Sequence, residues 1–152
     1  MDDQQLFEFT TAWGAHTSLR RIELQGVLSG SRAALEAVVD AALAAQVERE
    51  LRLEAKRWWP HHSSGVNAAS APALARLLPE STWLTSLGVH NRDPAPLADA
   101  PAALVMGAAL RASRTLRRLE LQSVCLWRDT TAAEALLGAL VGHPSLNSSC
   151  SA

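Results

Sequence analysis

The residues best suited to chemistry in this chain of 152 lie in one short run, Trp58-Trp59-Pro60-His61-His62. Paired histidines are potential metal ligands, and His90 is a possible third. Adjacent side chains of an extended segment point apart, however, and no HExxH spacing sets two imidazoles on one helix face. Exposed tryptophan is a common interface anchor, so Trp58 and Trp59 equally support a recognition loop. The plainest reading packs one tryptophan beneath the loop and leaves the histidines in water.

Signatures of catalysis are missing from the sequence. There is no GxSxG elbow, no GxxxxGK phosphate loop and no Rossmann glycine pattern. Gly26-Val-Leu-Ser-Gly30 reads as a turn. His16, His90 and His143 fall near the boundaries of repeated segments, where surface or loop placement is expected. The expectation is a non-enzyme with no cofactor and no metal. Cys125 and Cys150 form no CxxC and argue against a disulfide scaffold; a reducing, cytoplasmic setting fits them. Fourteen Lys and Arg against fifteen Asp and Glu give a net charge of -1. Such a balance offers no bulk attraction to nucleic acid or to an anionic membrane. The basic pairs Arg20-Arg21 and Arg117-Arg118 are each followed two residues on by a glutamate. The start, MDDQQLFEF, lacks the basic opening of a secretory signal, and no apolar run is long enough to cross a bilayer.

What must position any such residues is an internal repeat. Leu19 to Val27 reads LRRIELQGV and Leu116 to Val124 reads LRRLELQSV, identical at seven of nine positions and 97 residues apart. Three steps of about 32 residues span that offset, a period typical of helix-containing repeat arrays. Two weaker copies lie between, ERELRL from Glu48 and LTSLGV from Leu84. The four starts, 19, 48, 84 and 116, are separated by 29, 36 and 32 residues.

Each copy approximates LxxLxL, and its last two apolar residues are two apart, the period of a strand. Ile22 and Leu24 therefore face a core. Arg21, Glu23 and Gln25 face the other way, as do Glu50, Arg52 and Glu54, and Arg118, Glu120 and Gln122. These nine residues, with Trp58 and Trp59, are the candidate partner-binding set. The bland alternative for the nine is a solvated sheet face laced with cross-strand ion pairs. After each strand comes an Ala- and Leu-rich segment of helical spacing. Ser31 to Ala45 carries Leu35, Val38, Val39, Ala42 and Leu43 on one stripe. Ser70 and Asp99 are expected N-caps, with Pro72 and Pro101 in the first turns. Thr131 and Glu134 have capping-box spacing, and Gly142 with Pro144 ends that helix.

A strand and a helix alone enclose no core, whereas stacked copies turn the repeated Leu, Ile and Val into continuous ladders. With that pattern on the page, the chain resembles the leucine-rich repeats of the ribonuclease-inhibitor type over about Ser18 to Leu146. The resemblance implies an α/β leucine-rich-repeat solenoid, a short horseshoe segment with parallel strands on the concave face and helices on the convex face. It implies a protein partner and a non-catalytic interaction scaffold. A fragment of a GTPase-activating leucine-rich-repeat regulator, or a truncated product without its own function, is the alternative. The family often places Asn or Cys eight residues after the first Leu, where Val27, Lys56, Arg92 and Val124 stand here; less regular loops are expected.

The resulting division is residues 1-17 as a partial repeat or N-terminal cap, 18-146 as about four repeats, and 147-152 as a tail. Leu6, Phe7, Phe9 and Trp13 read as the end of an earlier helix. Pro144-Ser145-Leu146 reads as the start of a fifth strand that dissolves into NSSCSA. Such ends imply a piece of a larger array and self-association through uncapped ends.

Overall fold

The computed structural model describes residues 3–15, 20–25, 32–45, 50–54, 71–91, 99–123, 129–141, 143 and 146–151. Helices and strands alternate strictly. The order is α1 (Asp3–Gly14), β1 (Arg21–Gln25), α2 (Arg32–Ala45), β2 (Glu50–Glu54), α3 (Ala71–Glu80), β3 (Ser86–Asn91), α4 (Ala100–Ala112), β4 (Arg118–Ser123), α5 (Thr130–Val141) and β5 (Asn147–Ser151). The strands make one sheet in sequential order, and every pair is parallel. Each helix packs on the next, α1 on α2 through α4 on α5. The result is a mixed α/β fold of two layers.

Four strands lie where the LxxLxL copies put them, and the register is in step. One rung runs Ile22, Leu51, Leu87, Leu119; the next core rung runs Leu24, Leu53, Val89, Leu121. Ile22 and Leu24 are buried, as are Leu51, Leu87, Val89, Leu119 and Leu121. The helices close over these ladders with Leu35, Val38 and Val39 of α2, Leu74, Leu77 and Leu78 of α3, Met106 and Leu110 of α4 and Leu136 of α5. Small residues set the distance between helices. At Gly107 an added Cβ would lie 3.2 Å from the Ala135 carbonyl oxygen and 3.4 Å from the Ala139 Cβ.

Asp99 caps α4 as expected, accepting from the Ala102 N–H at 2.9 Å. At α5 the capping box anchored on Thr131 does not form. Asp129 takes the role instead, accepting from the Ala132 N–H at 3.0 Å. A carboxylate two residues earlier starts the helix at Thr130, so Thr131 and Glu134 sit inside it and both are exposed. Ser70 lies outside the described residues.

The helix-to-strand turns share a device that the sequence reading passed over. The Ser81 hydroxyl accepts from the Leu84 N–H at 2.9 Å, and the Ser113 hydroxyl accepts from the Leu116 N–H at 3.4 Å. Both serines are 4% exposed. Their carbonyls bind the next turn along: Thr115 Oγ1 donates to Ser81 O at 3.2 Å, and His143 Nε2 lies 3.1 Å from Ser113 O. His143 is therefore a tie between turns and not a bystander in a loop.

The two ends stand differently against expectation. At the first, the segment read as helical is α1, with Leu6 at 1% and Trp13 at 4% exposure in the shared core; Phe7 and Phe9 are exposed. At the other, residues 147–151, read above as a tail, pair with β4 as a fifth strand, Asn147 opposite Arg118 through Ser151 opposite Gln122. A parallel neighbour supplies main-chain partners whatever the side chains, so a polar segment was able to join the sheet.

Candidate functional site

The sheet face opposite the helices carries the polar residues of the strands in three rungs. The first is Arg21, Glu50, Ser86, Arg118; the second is Glu23, Arg52, Gly88, Glu120; the third is Gln25, Glu54, His90, Gln122. Seven of the nine strand residues singled out by alternation have described side chains, and all seven are exposed or half-buried. Gln25 and Glu54 belong to the face by register, but their side chains lie outside the described residues. So do Trp58, Trp59, His61, His62 and Cys125.

Ion pairs organise this face. Arg21 reaches two carboxylates, Glu23 Oε2 at 3.1 Å and Glu50 Oε2 at 3.6 Å. On the other side, Glu120 gathers three basic side chains. Arg52 Nη2 lies 3.2 Å and Arg118 Nη2 3.6 Å from Oε2, and His90 Nε2 lies 3.1 Å from Oε1. The His90 nitrogen is buried and within reach of Glu120, though its alignment is not that of a hydrogen bond.

The Arg52–Glu120 pair spans from β2 to β4, roughly 10 Å at ordinary strand spacing. It passes over β3 at Gly88, the residue between them in the second rung. An added Cβ at Gly88 would sit 3.3 Å from Arg52 Cγ. The missing side chain is thus what lets the arginine lie flat across the central strand. This accounts for a departure from the sequence expectation of a fully exposed surface: the Arg52 and Glu120 side chains are each only 26% exposed, against 67% for Arg118.

Alternation alone found the strand positions but missed the middle column of Ser86, Gly88 and His90. His90 was weighed only as a metal ligand or loop residue. The signal available was the register: His90 stands two residues after Gly88 and one rung from Glu120.

On the helix layer, a groove of about 590 Å³ lies between α1 and α2, lined by Phe7, Thr10, Thr11, Ala33, Ala37 and their neighbours. The carboxylates on it are paired, Glu36 with Arg32 and Asp40 with Arg76. Among the described residues, no group of three or more His, Cys, Asp or Glu is placed to hold a metal ion. No described helix is long and apolar enough to cross a membrane.

No protein-family model matches the chain, and no curated protein matches it in sequence. Among solved structures, one described as the actin-binding site 2 of leiomodin-1 superposes with a TM-score of 0.64 at 15% identity, covering 100% of this chain and 80% of that one. At that identity the likeness is one of fold.

Proposed function

We propose that the chain is a short leucine-rich-repeat solenoid of the ribonuclease-inhibitor type, a non-catalytic scaffold whose polar sheet face binds another protein. The observation that carries this reading is the face itself. Three in-register rungs place Arg21, Glu23, Glu50, Arg52, Arg118, Glu120 and Gln122 side by side on one rigid sheet. Charged groups set on strands and held by one another give a partner fixed points of complementary charge, which steer encounter and select among partners. The likeness to a chain whose description names actin binding supports a protein partner in general.

The test compares proteins captured from cell extract by the chain and by two surface variants. Reversing charge at Arg21 and Arg118 changes the sheet face; reversing it at Arg32 and Glu36 changes the helix layer. Captured proteins should be lost with the first variant, kept with the second, and released as salt rises. Capture unchanged by the sheet-face variant, or abolished only by the helix-layer variant, would overturn the assignment.

A further inference from the structure

We infer that the turn from α4 into β4 is a docking site for a carboxylate-rich segment of another protein, held by Arg111, Arg114, Arg117 and Arg118. This site stands whether or not the sheet face binds a partner, because only Arg118 of the four belongs to a rung of that face.

Positive charge is concentrated at this turn. Residues 111 to 118 hold four arginines and no acidic residue in a chain of net charge -1, so the rest of the chain sums to -5. The corresponding span of the preceding turn, residues 79 to 86, has no basic residue and one carboxylate, Glu80. In sequence, Arg117-Arg118 is only a basic pair. The fold adds Arg111 on the last turn of α4 and Arg114 in the connection itself. Five residues link α4 to β4, too few to part the two ends by more than about 20 Å.

The guanidinium groups are available to a partner. All four arginines are exposed. Among the described residues Arg111, Arg114 and Arg117 have no ion-pair partner, and Arg118 reaches Glu120 at 3.6 Å. Arg21, Arg32, Arg52 and Arg76, by contrast, each meet a carboxylate within the chain.

Their mounting is fixed. The Ser113 N–H donates to Ala109 O at 3.0 Å, and the Arg117 and Arg118 N–H groups meet Thr85 O at 2.9 and 3.0 Å. The Ser113 and Thr115 hydroxyls tie the turn to Leu116 and to Ser81. Charges on such a turn lose less freedom on binding than charges on a loose loop.

Arginine offers a planar fork that takes a carboxylate bidentately. Phosphate fits the same fork, but the surroundings disfavour it. The turn stands at the C-terminal, partially negative end of α4. The N–H groups of Ser113, Leu116, Arg117 and Arg118 are already donated within the protein, so those four cannot cradle a phosphate. A long polyanion would also run onto Glu80 in the preceding turn and Glu120 on the sheet. A short peptide spreads single charges over several forks and avoids both. Trp83, half-buried on the adjoining turn, gives such a peptide an apolar surface beside the charges.

Fluorescence anisotropy with a short labelled peptide alternating Glu and Ala tests this. The peptide should bind the full chain and loosen as salt rises, and its Gln counterpart should not bind. Arg114→Glu with Arg117→Glu should weaken binding about tenfold or more. Arg32→Glu with Arg76→Glu makes the same change in net charge on α2 and α3, and should keep affinity within about threefold. Arg118 is native in both variants, so the result is read apart from the sheet face. Circular dichroism checks folding, and Arg114→Gln with Arg117→Gln replaces a reversal variant that does not fold, with a smaller loss in the same direction. A chain that ignores the Glu peptide at low salt would overturn the inference. So would equal losses in the two reversal variants, or tighter binding of a labelled oligothymidylate than of the peptide.

Discussion

At the residue scale, two small side chains do more for this molecule than their size suggests. Ser81 is buried, and its hydroxyl accepts the Leu84 N–H at 2.9 Å while its carbonyl accepts Thr115 Oγ1 at 3.2 Å. Alanine there strands a buried N–H without a partner, which costs about 1–3 kcal/mol. Ser81→Ala should lower unfolding free energy by that amount in a denaturant titration, with the slope unchanged. Gly88 acts through what it omits. A Cβ there would press on Arg52 Cγ, the flexible stem of a side chain that has room to swing away. Gly88→Ala should thus leave stability within about 0.5–1 kcal/mol of wild type, yet lift Arg52 off Glu120. A double-mutant cycle on Arg52→Met and Glu120→Gln checks this. Its coupling should fall from about 0.5–1 kcal/mol in the parent toward zero in the alanine background.

At the element scale, helix spacing is the controlling quantity, and two glycines separate it from helix propensity. Gly138 of α5 has nothing within 4 Å of an added Cβ, whereas at Gly107 of α4 the Ala135 carbonyl oxygen lies 3.2 Å away. Gly138→Ala should therefore stabilise the protein by about 0.8–1 kcal/mol, the ordinary gain in a helix interior. Gly107→Ala gains the same propensity but forces a backbone apart, an overpacking cost of about 1–3 kcal/mol. Its net effect should be neutral to destabilising. Thermal midpoints of the two variants should move in opposite senses, or at least differ clearly; equal upward shifts would show that α4 and α5 have slack between them.

At the scale of the whole molecule, stability comes from ladders that run across the strands, so the residues of the central strand, flanked on both sides, matter most. Leu87 is fully buried on the central strand with Leu51 and Leu119 on either side, and Leu87→Ala should cost about 2–5 kcal/mol. Val141, 88% exposed, should tolerate alanine with a change within about 0.5 kcal/mol, read from the same melts. The strands and their register were legible in the sequence because an in-step Leu/Ile/Val rung is both pattern and energy source. Three features were not. The fifth strand carries Ser and Cys where the others carry Leu, Ile or Val, since its pairing rests on the main chain of β4. The α5 cap went to Asp129 because two capping residues lay within one turn and pattern does not rank them. The Arg52–Glu120 bridge depends on a missing side chain on β3, one strand away from each partner. The connections hold a further consequence. Passages from helix to strand are four to six residues long throughout, while those from strand to helix range from six to sixteen. Parallel pairing sets the C-terminal ends of all the strands along one rim of the sheet, and among the described residues the serine ties fasten the opposite rim. An insertion should therefore cost less stability on the first rim than on the second, as thermal unfolding of the two insertion variants would show. Trp58 to His62 falls in the longest of these passages, so changes of length there should leave the rungs of the sheet in register.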